Sequence, residues 1–123
     1  MSEENSSLAL VTGGNRGIGL AIAHSLAKAG HRVVVTYRSG DAPLDFLAVK
    51  MDVTSTESVE AAFGEIEERW GTPEVVVANA GITKDGLVLR MSDGDFEDVI
   101  NSNLTGAFRV ARRATKGLLK LKR

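Results

Sequence analysis

A glycine-rich segment near the N-terminus, Thr12-Gly13-Gly14-Asn15-Arg16-Gly17-Ile18-Gly19, places the strongest constraint on the fold. It follows an apolar run at residues 8–11 that is typical of a buried strand, and it opens a stretch with helical apolar spacing at residues 17–29. Glycine permits positive φ in a tight turn and lets backbone N–H groups approach a phosphate at a helix N-terminus. The segment therefore predicts a strand–turn–helix unit that binds a nucleotide.

Further strands and helices alternate along the chain. Apolar runs without alternation predict buried strands at residues 33–37 and 75–78, and a third, shorter strand is predicted at residues 46–51. A helix is predicted over residues 54–70, opened by Thr54 and Glu57 as a capping box, and a long helix is predicted after Ser92. The order predicts one α/β domain over residues 1–123, a Rossmann-type doubly wound parallel sheet with strand order 3-2-1-4. The fourth strand is expected at an apolar edge of this portion of a larger fold.

One polar residue stands in the apolar stripe predicted for the last helix. The stripe consists of Phe96, Val99, Ile100, Leu104, Ala107, Phe108, Ala111 and Leu118. Asn103 falls within it, and a buried asparagine without partners costs about 1–3 kcal/mol. A structural role for Asn103 at a helix kink is one interpretation of this position, and a functional role is the other.

Composition and charge exclude several classes of protein. The chain has no cysteine, an acidic N-terminus without a secretory pattern and no apolar run long enough to span a membrane, so we expect a cytoplasmic protein. His24 and His31 belong to no ligand cluster, and no metal is expected. Residues 109–123 hold seven basic and no acidic residues, which suits an anionic partner or a solvated face. Nucleic acid is disfavoured because the rest of the chain is strongly acidic.

The end of the second strand indicates which nucleotide is bound. An acidic residue there would hold the ribose 2′-OH of NAD, but the sequence reads Thr36-Tyr37-Arg38-Ser39. The guanidinium of Arg38 suits a 2′-phosphate, and Arg16 in the glycine segment can assist it. The sequence therefore predicts NADPH as the cofactor.

The glycine spacing, Asp52-Val53 after the third strand and Asn79-Ala80-Gly81 after the fourth resemble the short-chain dehydrogenase/reductase family. Residues 79–91 and 103–108 are similar, more specifically, to the 3-oxoacyl-[acyl-carrier-protein] reductases of fatty-acid synthesis. The resemblance implies NADPH-dependent reduction of a 3-oxoacyl thioester to its 3-hydroxyacyl form by a homotetramer. Ala78 departs from the family pattern, which often has a first asparagine there.

The resemblance also implies roles for individual residues. Asn103 matches the catalytic asparagine, which supports a water in a proton relay. The implied cofactor-binding residues are Gly13, Asn15, Arg16, Gly17, Ile18, Gly19, Arg38, Asp52, Val53, Asn79, Ala80 and Gly81. The acidic acyl carrier protein is expected to dock near Arg113, Lys116, Lys120, Lys122 and Arg123. Structural alternatives are that Asn79 satisfies loop backbone and that Asp52 caps a turn.

The family's Tyr-x-x-x-Lys pair and its serine are missing from this sequence. The only tyrosine, Tyr37, is followed four residues later by Asp41. We therefore expect a chain truncated before the catalytic segment and inactive by itself. Two alternatives remain: a reductase or dehydrogenase of the same family with another carbonyl or alcohol substrate, and a nucleotide-binding module without catalysis.

Overall fold

The computed structural model describes residues 7–43, 45–81 and 90–121. Strands and helices alternate as the sequence predicts, with one unexpected segment in the last helix. The elements are β1 Leu8–Thr12, α1 Gly17–Lys28, β2 Arg32–Tyr37, β3 Leu47–Lys50, α2 Thr56–Arg69, β4 Val75–Val77, α3 Asp93–Val99, a π-helical segment Ile100–Thr105, and α4 Gly106–Leu121.

The described strands form one parallel sheet with the order β3-β2-β1-β4. β1 lies between β2 and β4, with Val11 opposite Val35 on one side and Val77 on the other. The predicted Rossmann-type α/β fold and its strand order are therefore confirmed. β4 lies at an edge of this sheet and is half-buried. Because the strands are parallel, their carboxyl ends meet along one edge, where ligands bind in folds of this type.

Helices cover both faces of the sheet. Alternate residues of β1 point to opposite faces, so Leu10 packs in a cluster with Phe63 of α2 and Val110 of α4. Val11 packs on the other face, in a cluster with Ala23 of α1. This burial on both faces explains why β1 and the central part of β2 read as continuous apolar runs.

The start of α2 differs from the prediction by one residue. The N-cap is Ser55, whose hydroxyl oxygen accepts a hydrogen bond from the backbone N–H of Ser58 at 3.1 Å. Thr54 lies one residue before the N-cap, since α2 begins at Thr56, and its hydroxyl donates to Asp52 Oδ1 at 2.6 Å. The expected Thr54–Glu57 capping box is therefore wrong. The predicted cap of α3 is confirmed, since Ser92 accepts from the backbone N–H of Asp95 at 3.0 Å.

The face that the last helix buries is not the predicted one. Phe96, Leu104 and Phe108 are 58%, 65% and 57% exposed. The buried face carries small residues instead: Gly106, Val110, Ala114 and Gly117. Small side chains let α4 approach α2 closely; a Cβ added to Gly117 would lie 2.9 Å from Glu67 Oε2. The predicted continuous helix is also interrupted by the π-helical segment.

Candidate functional site

A cleft of about 310 Å³ opens at the carboxyl edge of the sheet. Its walls come from the end of β2, from the segments that follow all four strands, among them the glycine segment, and from the π-helical segment. Eight predicted site residues line it: Gly13, Asn15, Arg16, Arg38, Val53, Asn79, Ala80 and Gly81. The lining set does not contain the other five predicted residues, Gly17, Ile18, Gly19, Asp52 and Asn103. The structure thus brings most of the predicted site to one place.

The glycine segment forms a tight turn against the end of β4. Gly13 has φ +66°, and a Cβ there would lie 3.0 Å from the backbone Cα of Ala80. A Cβ on Gly19 would collide with the carbonyl oxygen of Gly13. α1 begins at Gly17, and the side chain of its N-cap residue, Arg16, makes no capping hydrogen bond. The first turn of α1 therefore lies beside the cleft with backbone donors that an anion can satisfy.

The sequence places Thr12 in the glycine-rich segment but gives it no individual role, and the structure supplies one. Its side chain is buried at the end of β1, 1% exposed. The hydroxyl oxygen accepts hydrogen bonds from the backbone N–H of Asn79 at 2.9 Å and of Ala80 at 3.0 Å. The side-chain amide of Asn79 donates to the carbonyl oxygen of Gly13 at 3.2 Å. Asn79 therefore satisfies loop backbone, as its structural interpretation requires, while it also lines the cleft.

The predicted 2′-phosphate residues lie at the open side of the cleft. The side chain of Arg38 is exposed, with Nε 4.0 Å from Asp52 Oδ2, and Arg16 is also exposed and lines the same cleft. The side-chain amide of Asn15 donates to the carbonyl oxygens of Ser39 at 3.1 Å and Asp41 at 3.4 Å. Asn15 thereby joins the glycine turn to the loop that follows Arg38. Two guanidinium groups border one concave surface, which favours an anionic ligand.

Asp52 caps the turn between β3 and α2. Its Oδ1 accepts from the hydroxyl of Thr54 at 2.6 Å and from the backbone N–H of Thr54 at 2.9 Å. The Thr54 hydroxyl bond, with help from its backbone N–H and from the charges of Arg38 and Arg109, holds the pKa of Asp52 below its ordinary value against the effect of burial. The carboxylate is therefore ionised at neutral pH, and the turn-capping interpretation of Asp52 agrees with the structure.

Asn103 is exposed, so the expectation of a buried asparagine is wrong. A π-helical turn spans one residue more than an α-helical hydrogen bond does, so the side chains that follow it point in directions that the α-helical period does not predict. Ser102 occupies the buried position instead, at 2% exposed, and lines the cleft. Asn103 lies against the end of the Asn79–Ala80–Gly81 segment: a Cβ on Gly81 would lie 2.5 Å from Asn103 Oδ1. Asn103 thus borders the cleft from its outer side. Within the similar stretch 79–91, residues 82–89 lie outside the described residues.

The predicted docking residues do not share one environment. Arg113 is only 10% exposed, and it pairs with Glu60 Oε2 at 2.6 Å and, through two nitrogens, with both carboxylate oxygens of Glu67 at 2.8 and 2.6 Å. It fastens α4 to α2, so its assignment to an exposed docking surface is wrong. Lys116 and Lys120 are exposed, whereas Lys122 and Arg123 lie outside the described residues. No helix in the described ranges has both the length and the hydrophobicity that crossing a membrane requires.

Comparison with known proteins adds three similarities to this geometry. The profile of the short chain dehydrogenase family matches residues 7–123. The 3-oxoacyl-[acyl-carrier-protein] reductase MabA of Mycobacterium tuberculosis (strain ATCC 25618 / H37Rv) is 53% identical over 113 residues, which cover 92% of this chain and 46% of the relative. The corresponding reductase FabG of Vibrio cholerae is 38% identical over 121 residues, which cover 92% of this chain and 50% of the relative. The chain thus spans about half the length of these relatives.

Proposed function

This chain belongs to the short-chain dehydrogenase family, and we propose that it forms the cofactor-binding half of an NADPH-dependent 3-oxoacyl-[acyl-carrier-protein] reductase. The reaction converts the C3 carbonyl of a 3-oxoacyl thioester into a hydroxyl group by adding a hydride to carbon and a proton to oxygen. The observation that carries the proposal is the cleft in which the glycine turn, Arg38 and the Asn79–Gly81 segment meet. The names of relatives that are 53% and 38% identical support the substrate class.

The residues present suit a dinucleotide phosphate. The turn at Gly13 and Gly19 forms a cradle that a Cβ would fill, and it leads into the N-terminus of α1, where a pyrophosphate fits. Arg38, assisted by Arg16, supplies the donors for a 2′-phosphate, which favours NADPH over NADH. When bound, NADPH supplies the hydride. The proposed phosphate and ribose contacts are completed by Asn15, Gly17 and Ile18. Asp52 and Val53 are proposed to lie beside the adenine. The nicotinamide and its ribose are proposed to contact Asn79, Ala80 and Gly81.

Asn103 is the proposed catalytic residue of this half. Its place beside Gly81, at the end of the segment assigned to the nicotinamide side, supports a role in holding a water of the proton relay. The proton donor itself, from a Tyr-x-x-x-Lys pair, is not encoded in these 123 residues. We therefore predict that the chain alone does not turn over substrate. That residues 1–123 form part of a larger single domain also stays a prediction.

Titration with two nucleotides tests the cofactor assignment. We expect the chain to bind NADPH more tightly than NADH, and Arg38→Asp to weaken NADPH binding at least tenfold, since a charge-assisted hydrogen bond contributes about 1.5–3 kcal/mol. Arg112→Asp on α4, an exposed arginine outside the cleft lining, is the matched control and is expected to leave both affinities unchanged. Equal affinity of the unmodified chain for NADH and NADPH would contradict the assignment of Arg38.

The substrate is tested in a chimera in which residues 7–123 replace the matching segment of the Mycobacterium tuberculosis relative. We expect this chimera to reduce acetoacetyl thioesters with NADPH. A chimera that prefers a steroid, sugar or polyol would favour the alternative of another substrate in the same family. Tight NADPH binding without turnover in the chimera would favour a module that only binds nucleotide.

Two partners belong to the proposal. Acyl carrier protein, which is acidic, is proposed to approach the exposed lysines of α4 and the basic residues that follow them. Self-association into a tetramer is supported by the large apolar side chains that α3 and α4 expose, among them Phe96 and Phe108. Sedimentation of the chimera tests whether it forms a tetramer.

The cytoplasmic location expected from the sequence stays a prediction.

A further inference from the structure

Arg109 joins three parts of the molecule through one nitrogen atom. It lies in the first turn of α4, and its Nη1 donates to the carbonyl oxygen of Val53 at 2.9 Å and to Asn101 Oδ1 at 2.9 Å. Val53 lines the cleft from the loop between β3 and α2, and Asn101 belongs to the π-helical segment. We call these two hydrogen bonds the Arg109 bridge. It connects the cofactor cleft to the segment that carries Asn103.

Asn101, in the π-helical segment, is hydrogen-bonded through both its backbone and its side chain. π-Helical turns are rare, and where they persist they commonly lie at functional sites. The backbone N–H of Gly106 donates to the carbonyl oxygen of Asn101, the wide spacing that defines this turn. The bridge holds the side chain of the same Asn101. Asn101 is therefore fixed at both its backbone and its side chain, two residues before Asn103.

The first turn of α4 is pressed against the cleft wall at the same place. A Cβ added to Gly106 would lie 2.7 Å from Val53 Cγ2, so these two residues are in close contact. Arg109 follows Gly106 by one helical turn and reaches the carbonyl oxygen of Val53 from there. Both contacts join the first turn of α4 to Val53. Ser102, which lines the cleft, and Asn103, which lies against Gly81, are carried by the segment that these contacts hold.

We propose that Arg109 is a positioning residue that fixes the π-helical turn so that Asn103 faces the Gly81 edge of the cleft. The inference rests on the proposed function, because it assumes that Asn103 takes part in the reaction. A guanidinium suits the task because one of its nitrogens carries two hydrogens in fixed directions and donates both to neutral acceptors. Arg109 is thereby turned inward, unlike its neighbour Arg112, which is exposed and lies over the ring of Phe108 at 5.0 Å.

Amide hydrogen exchange on the chain tests the structural half of the inference without any reaction. We expect Arg109→Met and Asn101→Ala to speed exchange of the amides of residues 102–106 by about tenfold or more, because each removes the bond that holds Asn101. Arg112→Met is the matched control and is expected to leave these amides at their original rates. Unchanged exchange in both the Arg109 and the Asn101 variants would overturn the inference.

Kinetics of the chimera test whether Arg109 acts through Asn103. We expect Arg109→Met to lower kcat about tenfold and Asn103→Ala to lower it at least as much, with a double variant no slower than Asn103→Ala alone. Asn101→Ala removes the bond to Asn101 but leaves the bond between Arg109 and Val53, so it replaces Arg109→Met if that variant folds poorly. We expect Asn101→Ala to lower kcat and to leave the affinity for NADPH unchanged. Arg109→Lys is expected to recover part of the lost kcat.

The outcomes separate the inference from the function on which it rests. If the fold losses of kcat multiply in the Arg109→Met, Asn103→Ala double variant, Arg109 acts independently of Asn103 as a general stabilising residue. That result would overturn the inference and leave the proposed function standing. An Asn103→Ala chimera with full kcat would overturn both the inference and the proposed catalytic role of Asn103. Non-multiplying losses together with faster exchange in residues 102–106 support the positioning role.

Discussion

The hydroxyl oxygen of Thr12 accepts a hydrogen bond from the backbone N–H of Asn79 at 2.9 Å, joining the ends of β1 and β4. Asn79 returns the contact through its side-chain amide, which donates to the carbonyl oxygen of Gly13 at 3.2 Å. Two walls of the cleft, the glycine turn and the segment after β4, are therefore held in register by reciprocal bonds. A nucleotide that contacts both walls meets a surface that needs little rearrangement on binding.

Thr12→Val removes this acceptor while keeping the shape of the side chain. The partly buried backbone N–H groups of Asn79 and Ala80 then lose their partner; a typical hydrogen bond contributes about 0.5–1.5 kcal/mol, and water in the cleft can replace part of it. We expect a clear fall in the free energy of unfolding, measured in urea, and weaker NADPH binding. Thr115→Val on the exposed face of α4 removes a hydroxyl bonded to the carbonyl oxygen of Ala111 and is expected to change stability by less than about 0.5 kcal/mol. Equal effects of the two variants would contradict this account of Thr12.

Much of the fold follows from apolar patterning, but the buried face of the last helix does not. β1 and β2 are covered on both sides, and a strand in that position reads as an unbroken apolar run. The π-helical segment and α4 together offer two apolar faces. One carries Leu104 and Phe108, and the other carries Val110 and Ala114. Hydrophobicity favours the large side chains, whereas the short distance to α2 selects the small ones. That distance is a tertiary property that a helical period cannot reveal.

Two glycine-to-alanine substitutions test how closely the turn is packed. At Gly19 the new Cβ would collide with the backbone of Gly13, so the turn must shift; overpacking of this kind costs about 1–3 kcal/mol. We expect Gly19→Ala to lower stability and to abolish measurable NADPH binding. At Gly64 on α2 the added Cβ meets open space, and alanine is expected to raise stability by about 0.5–1 kcal/mol. A Gly19→Ala chain with unchanged affinity would show that the turn does not form the phosphate cradle.

Within the site, residues with a sequence signal were predictable and small buried hydroxyls were not. Gly13 and Arg38 stand out by type and position, and both line the cleft. Ser102 also lines the cleft, and Thr12 joins two of its walls through the backbone N–H groups that the fold brings to its hydroxyl; neither role has a signal in the sequence. The exposure of Asn103 depends on the π-helical turn, which departs from the 3.6-residue period used to predict the helix.

Asp52 is expected to make the stability of the chain depend on pH in the acid range. Its pKa is lower in the folded chain than the ordinary value of 3.8, chiefly because of the Thr54 hydroxyl, so its contribution is complete above the unfolded pKa and is lost as pH falls through the folded pKa. We expect the free energy of unfolding to fall more steeply below about pH 4 in the original chain than in Asp52→Asn. Thr54→Val should reduce the same slope. Parallel curves for the original chain and Asp52→Asn would contradict the assignment.

The ion pairs of Arg113 predict a larger stability effect than an ordinary surface pair. Arg113→Met leaves the partly buried carboxylate of Glu67 without its bidentate partner; we expect a loss of about 1–3 kcal/mol, below the cost for a fully buried pair. Arg69→Met breaks the exposed pair with Glu65 on α2 and is expected to cost about 0.5 kcal/mol. Urea unfolding measures both. Similar small losses would mean that Arg113 is not needed to hold α4 against α2.

Charge reversal on the outer part of α4 tests the docking of acyl carrier protein. Lys116→Glu and Lys120→Glu, made singly in the chimera, place a negative charge where an acidic partner is proposed to approach. Opposite charges at the rim of an interface mainly raise the association rate, so we expect severalfold lower kcat/KM for carrier-linked substrate at low salt and a smaller difference at high salt. The same result is expected for reversal of Lys122 and Arg123.

Two comparisons make the docking test specific. Lys28→Glu changes the net charge equally but lies at the end of α1, on the opposite face of the sheet from α4, and is expected to leave kcat/KM unchanged. A small free thioester has no acidic carrier to attract, so its reduction should be almost unaffected by any of the reversals. Equal losses on the free and the carrier-linked substrate would show damage to the fold or to the site, because electrostatic attraction acts only on the carrier. Equal losses with Lys28→Glu and Lys120→Glu would instead indicate an effect of net charge, and the surface of α4 would lose its assignment.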